Sequence, residues 1–400
     1  HTSMNKVRVI PYGQLSKSLI LLSRHLCVIP MMSKVIIFFM VSILLLGCEN
    51  SQDVAGVKMS KIEQSVIESV MENPQPVCVG RYMFDLPEHF FAEGASAYIN
   101  KNAIEAQPMP LPAFEQRIRL REHELQSTEV YEKGNAPFLK STYQLNDSKE
   151  GVIFERNINT MAPEGSRYLE AHYYNNGIAF STGIKTKRFD AERYAKERLE
   201  LPNYYVDNHT EKLIELRKLI SRIQGFKLNE PIPEGKGLCF KHGFIAGDSL
   251  SIVGSDWGEE DAGIAFKLKQ FPKLTFKIET NNYLKEDKSL LERVGKGSLN
   301  NFISSFGDDI RVLAEDRRKV GGTDAEEWLV FNASDPDDVQ YNFLMYMNEK
   351  SGSSSTPFLS AELRYELLGG ELGDDDLTEE QLLSVWYQLT NSIRIRPGAI

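Results

Sequence analysis

The sequence predicts an α+β fold of two related domains, each a mainly antiparallel sheet with flanking helices. Short alternating strands occur in runs, with the helices set apart from them, which favours antiparallel sheets over βαβ units. A stretch rich in proline and glycine, 227–237, interrupts this pattern near the middle of the chain. The pattern then starts again, so we expect an N-terminal domain at 76–226, a linker at 227–237 and a C-terminal domain at 238–400.

The N-terminal segment is typical of a bacterial lipoprotein signal. Lys34 precedes a largely apolar stretch, Val35–Leu46, and Gly47 and Cys48 follow it. So short a stretch does not span a bilayer as a stable helix, whereas a small residue before cysteine is typical of lipid attachment. We expect Cys48 to carry the lipid. The alternative is an ordinary cleaved signal with a chance cysteine.

Residues 1–30 do not fit the start of a signal peptide, so we expect translation to begin at Met31 or Met32. Residues 1–48 are then an upstream extension plus the signal, and 49–75 form a tether that ends in a short helix. Two or three acyl chains on one cysteine anchor a protein firmly. This predicts a periplasmic protein held at the inner or the outer membrane.

In the first domain, alternation with a period of two predicts strands and a period near 3.6 predicts helices. In chain order we expect strands headed by Cys78 and at 82–86, a helix at 112–126, strands that begin at Phe138, Gly151, Arg167 and Ile178, and helices near 190–199 and 210–224, the last capped by Gly225.

The second domain opens with Cys239 on an apolar strand and repeats this order. We expect strands that begin at Gly263, Lys273, Asp309, Glu326, Val339 and Phe358, a helix at 289–304, and a closing helix that starts at Thr378. Thr378 and Gln381 have the spacing of a capping box. The closing helices share one apolar spacing, with Leu213, Leu216, Leu219 and Ile223 in the first and Leu383, Trp386, Leu389 and Ile393 in the second. This supports a duplicated domain.

The sequence contains no recognisable catalytic, phosphate-binding or metal-binding motif. It has no Gly-x-Ser-x-Gly, no phosphate-binding loop and no closely spaced histidine and cysteine ligands, so we expect neither an enzyme nor a cofactor or metal. Residues 1–48 contribute +5 to the formal net charge of −10, so the remainder carries −15. Such a charge repels nucleic acid and suits a partner with a basic face.

Two acidic clusters are candidates for contact with a partner. One contains Asp256, Trp257, Glu259 and Glu260, and the other contains Asp335, Asp337 and Asp338. Both are expected in loops between strands, where recognition residues concentrate, and Trp257 adds an aromatic anchor. The alternative is that these residues serve only as solvated loops and in local packing.

Cys78 and Cys239 head the first strands of the two domains. In an oxidising compartment each has one possible partner, and a bridge between them would stabilise the fold by ~2–4 kcal/mol. The alternative is two buried thiols at equivalent core positions of a duplicated domain. The sequence leaves both arrangements open.

Three segments resemble one protein family. They are VCVGRYMFDLPEHF from Val77, GLCFKHGFIAGD from Gly237 and LTNSIRIRPGA from Leu389. They are similar to segments of the cognate immunity proteins of type VI secretion lipase effectors of the fourth class, and the resemblance covers about 78–398. It implies a non-enzymatic, two-domain periplasmic protein that binds and blocks a phospholipase effector. The alternative is an envelope lipoprotein with an unrecognised hydrolase or structural role.

Overall fold

Strands and helices follow the periodicity of the sequence along most of the chain. The computed structural model describes residues 58–145, 150–227, 230–247, 258–294, 309–335, 337–367, 373 and 375–400. The strands pair antiparallel throughout these ranges and the helices flank them, so the predicted α+β class is confirmed. None of the helices in the described ranges is long and apolar enough to cross a membrane.

The N-terminal half, up to residue 227, contains nine strands and four α-helices within its described residues. They are α1 Lys61–Val70, β1 Gln75–Val79, β2 Tyr82–Leu86, β3 Phe90–Ile99, β4 Asn102–Pro108, α2 Leu111–Ser127, β5 Leu139–Gln144, β6 Glu150–Asn157, β7 Ser166–Asn175, β8 Ile178–Lys187, α3 Ala195–Glu200, α4 His209–Arg222 and β9 Ile223–Gly225.

The C-terminal half, from residue 230, follows the same order. Its elements are β10 Gly237–Phe240, β11 Gly243–Ala246, β12 Glu260–Leu268, β13 Leu274–Asn281, α5 Leu290–Val294, β14 Ile310–Val320, β15 Thr323–Asn332, β16 Val339–Met347, β17 Phe358–Leu367, α6 Glu379–Asn391 and β18 Arg394–Ile395. The predicted capping box of Thr378 and Gln381 is present at the start of α6.

One continuous twelve-stranded sheet runs through both halves. Its order is β14-β15-β16-β17-β13-β12-β3-β4-β8-β7-β6-β5. If β3 is matched with β12, β4 with β13 and β5–β8 with β14–β17, this order reads the same from either end. The two halves therefore have the same topology and meet at β3 and β12, where Glu260 lies opposite Ile99 and Leu268 opposite Phe90. We call this junction the seam.

Each half completes the opening hairpin of the other half. The hairpin β1-β2 takes β18 from the far end of the chain as its third strand, and the hairpin β10-β11 takes β9. Because each exchange satisfies backbone groups that would otherwise form an open sheet edge, the halves are interlocked. The expected domains 76–226 and 238–400 thus share one sheet, and the described residues form one compact unit.

The hydrophobic core also crosses the seam. The ring of Phe84 lies edge-on to the rings of Phe266 and Phe276, each at a centroid distance of 5.9 Å. Cys78 and Cys239 lie at equivalent positions on β1 and β10, with their Cα atoms 5.7 Å apart, and the structure joins them in a buried disulfide. Backbone hydrogen bonds between Gly80 and Cys239, of 2.7 and 2.8 Å, bring these strands together.

The expected tether is shorter than the sequence indicated. Its short helix is present as α1, but Ile67 and Val70 are buried, and α1 packs against α6. Thr378 Oγ1 also donates a hydrogen bond of 3.0 Å to Glu63. An amphipathic helix buries its apolar stripe when a partner is within reach, so α1 belongs to the folded body.

Two other expectations change, one is tested only in part, and two strands were missed. The helix ending near 224 stops at Arg222, and Gly225 is not its cap, because Ile223–Gly225 pairs with β11. The helix near 190–199 forms only over Ala195–Glu200, after a 3₁₀ turn at Glu192–Tyr194. The helix expected at 289–304 is described over Leu290–Val294, and its remainder lies outside the described residues. Strands β3 and β4 were not predicted.

Candidate functional site

The candidate contact residues of the sequence do not form one surface. Cys48, Asp256 and Trp257 lie outside the described residues. Glu259 immediately precedes β12, whereas Asp335, Asp337 and Asp338 form the exposed turn between β15 and β16. The strand registers put these two groups at opposite ends of the sheet. Strand β12 alone has 9 residues, which corresponds to roughly 30 Å.

Glu260 was expected to contact a partner, but the structure shows it to be a buried structural residue. Its side chain is buried at the first position of β12 and not in a loop, and it accepts hydrogen bonds of 2.8 and 3.0 Å from the equally buried Arg81. Arg81 also donates to the carbonyl of Ala399. A buried carboxylate requires such a partner, and this bidentate pair connects β12 with the β1-β2 hairpin and the C-terminus.

The loops at one end of the N-terminal half expose large apolar side chains. Five of these, between 54% and 86% exposed, define what we call the apolar loop cluster: Tyr131, Met161, Leu199, Leu201 and Tyr204. They lie in three connections at the same end of the strands. Tyr131 lies between α2 and β5, Met161 lies between β6 and β7, and the other three lie between β8 and α4. Exposed apolar side chains that occur together are characteristic of interaction surfaces.

Hydrogen bonds hold these loops against one another. Arg193 donates to Gly134 O at 2.8 Å and to Asn135 Oδ1 at 3.0 Å, and Asn135 donates to Ala162 O at 3.2 Å. The backbone of Tyr131 donates to Thr160 O at 2.9 Å. The connections are therefore linked through polar groups, which leaves their apolar side chains directed away from the core.

Aromatic contacts support the third connection. The buried ring of Phe189 lies 5.0 Å from that of Tyr194 and 4.9 Å from that of Tyr205. Lys187 Nζ donates to Tyr204 O at 2.9 Å and lies 4.5 Å from the centroid of its ring. Tyr204 is thus fixed in place while about half of the residue remains exposed to a partner.

The apolar loop cluster was missed in the sequence because its residues have no periodicity. Leu199, Leu201 and Tyr204 occur in RLELPNYYVDN, where proline, asparagine and aspartate mark a loop. Large apolar residues in such a segment are the one local signal that could have revealed the surface.

A second feature lies at the seam, at the same end of the strands. A pocket of about 270 Å³, which we call the seam pocket, is lined by Tyr98, Lys101, Glu259, Asp261 and Tyr283. Tyr283 donates a hydrogen bond of 3.0 Å to Asp261 Oδ2, and Lys101 Nζ lies 3.7 Å from Glu259. Burial raises the pKa of Asp261, and burial together with the charge of Asp261 raises the pKa of Tyr283 to about 12.

A cleft with a volume of about 710 Å³ lies between α2 and the sheet. Its central carboxylate, Glu170, accepts hydrogen bonds from Arg121, Arg156 and His172 at 2.6–2.9 Å. Burial opposes ionisation, but these donors hold the pKa of Glu170 well below its usual range. The charge of Glu170 is therefore already balanced by neighbouring side chains.

Among the described residues, one group of three metal-type ligands lies close together: Glu72, Glu88 and His89. His89 Nε2 is already 2.9 Å from Glu72, and all three side chains reach solvent. A hydrogen bond between the His89 ring and the Glu72 carboxylate explains this arrangement without a metal.

Two family models together cover most of the chain. The model described as the Tle cognate immunity protein 4 N-terminal domain matches residues 75–225, and that of the C-terminal domain matches residues 231–398. A search of curated proteins gives no match.

Similar solved structures have the same fold. One is the immunity protein TplEi of the type VI secretion system from Pseudomonas aeruginosa, with 21% identity, a TM-score of 0.61, and coverage of 81% of this chain and 97% of that one. The other is the Tle4-Tli4 complex, with 21% identity, a TM-score of 0.63, and coverage of 82% and 99%. TplEi has also been solved with a bound peptide, at 20% identity and a TM-score of 0.58, with coverage of 82% and 99%.

Proposed function

The chain belongs to the Tle cognate immunity protein 4 family, and from this premise we propose that it inhibits a cognate type VI secreted phospholipase by occluding the entrance to the active site. As a member of this family it is an immunity protein and not an enzyme. Its role is to protect the producing cell, and its siblings, from the effector.

The apolar loop cluster is the observation that carries the occlusion mechanism. An enzyme that takes up acyl chains must present apolar surface at the mouth of its active site. Five large apolar side chains on hydrogen-bonded loops can cover such a mouth without a large loss of conformational freedom on binding. The similar Tle4-Tli4 structure is itself a complex, which supports a role of this fold in holding a partner.

We also propose that lipid on Cys48 holds the protein at the periplasmic face of a membrane. Because α1 packs on the folded body and Met59 already contacts its core, only residues 49–58 separate Cys48 from that body, and a chain of that length spans at most about 40 Å. The inhibitor would then remain close to the membrane where a phospholipase acts. Mass spectrometry of the membrane fraction, with detection of a lipid-modified N-terminal cysteine, tests this proposal.

Inhibition of the neighbouring effector is the central test. Protein lacking residues 1–48 should bind the lipase encoded beside this gene and abolish its hydrolysis of phospholipid. Leu199→Asp combined with Tyr131→Asp should weaken binding at least about tenfold, because hot-spot residues each contribute about 2 kcal/mol or more. Affinity by calorimetry and residual lipase activity measure this.

Leu120→Asp is the matched control, since Leu120 is 64% exposed but lies on α2, outside the apolar loop cluster. It should leave the affinity unchanged. Failure of the unaltered protein to bind at micromolar concentration contradicts the proposed function. If the control weakens binding as much as the double variant does, the choice of the apolar loop cluster as the contact surface is wrong, but the proposed function stands.

A further inference from the structure

The seam pocket unites groups from both halves of the molecule. Tyr98 is near the end of β3, Glu259 and Asp261 flank the start of β12, and Tyr283 follows β13. The residues Tyr98 and Tyr283 are 41% and 46% exposed. The pocket is therefore an aromatic-walled recess that contains carboxylates and opens to solvent.

In the described part of the chain, Asp261 lacks the ion pair that several buried or partly buried carboxylates form. Glu155, Glu170 and Asp376 each lie within 3.0 Å of an arginine or lysine nitrogen. Asp261 forms no such ion pair within the described ranges, and its hydrogen-bond partner is the neutral hydroxyl of Tyr283. It is thus a partly desolvated negative charge without a compensating cation.

The nearby lysines are directed to other acids. Lys277 lies 2.7 Å from Glu279, and the highly exposed Lys101 lies 3.7 Å from Glu259. Neither lysine forms an ion pair with Asp261. The charge of Lys277 lowers the pKa of Asp261, but the charge of Glu279 raises it more strongly. The recess consequently retains unbalanced negative charge beside two π faces.

We propose that the seam pocket receives an arginine or lysine side chain of the cognate effector, an inference that rests on the proposed function. A cation between tyrosine faces is attracted by the ring quadrupoles, and a carboxylate removed from bulk water attracts it more strongly than an exposed one. A volume of about 270 Å³ accommodates a single basic side chain. The occupant is a basic residue on the effector's surface, and charge complementarity selects it.

This contact would complement the apolar loop cluster. The register of the sheet puts both at the same end of the strands. The start of β12 pairs with the end of β3, which pairs with the start of β4. Because β4 and β8 are antiparallel, the start of β4 lies toward the C-terminal end of β8, and β8 then leads into the exposed loops. Apolar contacts supply most of the burial, whereas the seam pocket provides a charge that discriminates between effectors.

Asp261→Asn in protein lacking residues 1–48 tests the proposal against the lipase encoded beside this gene. The change preserves the size of the side chain and an acceptor for Tyr283 but removes the charge. We expect the affinity to fall at least about tenfold and the dependence of affinity on salt concentration to become weaker. Asp337→Asn, an exposed acid at the opposite end of the sheet, is the matched control and should change neither quantity.

Tyr98→Ala is a second variant that removes one wall without altering Asp261, and it should weaken binding several-fold at a temperature where the variant is still folded. If the unaltered protein inhibits the lipase while Asp261→Asn and Tyr98→Ala bind as tightly as it does, the seam-pocket inference is overturned and the proposed function stands. If Asp337→Asn weakens binding as much as Asp261→Asn, the effect is one of overall charge, and the inference is also overturned. If the unaltered protein does not bind, the proposed function itself fails.

Discussion

Glu155 on β6 has no exposed surface, and four side chains converge on its carboxylate, of which Arg188 is the most distant at 3.7 Å. Tyr143 donates to it at 2.7 Å and Arg167 at 3.0 Å, and His209 Nε2 lies 3.2 Å away. Burial raises the pKa of this group, but His209 and Tyr143 outweigh that effect and lower the pKa to about 2. The ionised form is therefore the one that the folded state favours.

A pH dependence of stability follows at this residue. A carboxyl group whose folded pKa is depressed stabilises the fold above its unfolded pKa of about 4.5, and this stabilisation is lost as the pH falls toward about 2. The difference corresponds to about 3 kcal/mol. Glu155→Gln should reduce the free energy of unfolding by about this amount at pH 7 and by much less near pH 3, as measured by urea denaturation.

The exposed Glu150 on the same strand provides the control. Glu150→Gln should change stability by less than about 0.5 kcal/mol at either pH. An equal loss for Glu155→Gln at both pH values would mean that packing, and not charge, explains its effect.

At the level of elements, the residue after the short C-terminal strand β18 holds the segment that connects the two halves. Arg396 follows β18, is buried, and donates to the carbonyls of Pro233, Gly235 and Gly237 at 2.5–2.8 Å. The segment between the halves is thus bound by the end of the chain and does not act as a free linker.

Arg396→Ala leaves these three carbonyl groups without their donor. Of the three acceptors, only Gly237 is a buried residue, since Pro233 is partly exposed and Gly235 is exposed to water. An unsatisfied buried group costs about 1–3 kcal/mol, so we expect the variant to lose about 1–3 kcal/mol of unfolding free energy. Arg394→Ala is the matched control, because Arg394 is half exposed and forms a surface ion pair with Asp85, which contributes less than about 1 kcal/mol. Similar losses for both variants, measured by denaturant unfolding, would contradict this account.

At the level of the whole molecule, the disulfide and the strand exchange act together. Cys78 and Cys239 are 161 residues apart in sequence, and their bond joins the two opening hairpins next to the seam. The covalent link and the exchanged strands both oppose separation of the halves.

The state of these cysteines can be measured directly. Residues 49–400 contain no other cysteine, so protein without the signal should have, under non-reducing conditions, a mass lower by two hydrogens than after reduction. Replacement of both cysteines by serine should reduce the unfolding free energy by ~2–4 kcal/mol. Two free thiols in the unreduced protein would instead support the alternative of separate core positions.

The elements that were predictable have strong local patterns. The alternation in β2, β12 and β13 and the capping box before α6 appear unaltered in the structure. Strands β3 and β4 were missed because β3, FFAEGASAYI, contains small residues and a central stretch that is exposed on both faces. Its position beside β12, and not its own pattern, makes it a strand.

The candidate contact residues were less predictable. Glu259 and Glu260 are adjacent acids in the sequence, yet one lines a solvent-open pocket and the other is buried against Arg81, which is 179 residues away. No local property separates them, because alternate residues of a strand point to opposite faces and the register determines which face is the core.

By itself, the sequence determined the α+β class, the repeated order of elements and the resemblance to an immunity family, since periodicity, caps and family motifs are local. Only the tertiary structure decided that the halves share one sheet and exchange strands. It also brought the apolar loop cluster and the seam pocket to the same end of the strands. The physical reason is that these arrangements depend on strand pairing between distant segments, in which backbone hydrogen bonds and buried apolar area select one register among several that are locally compatible.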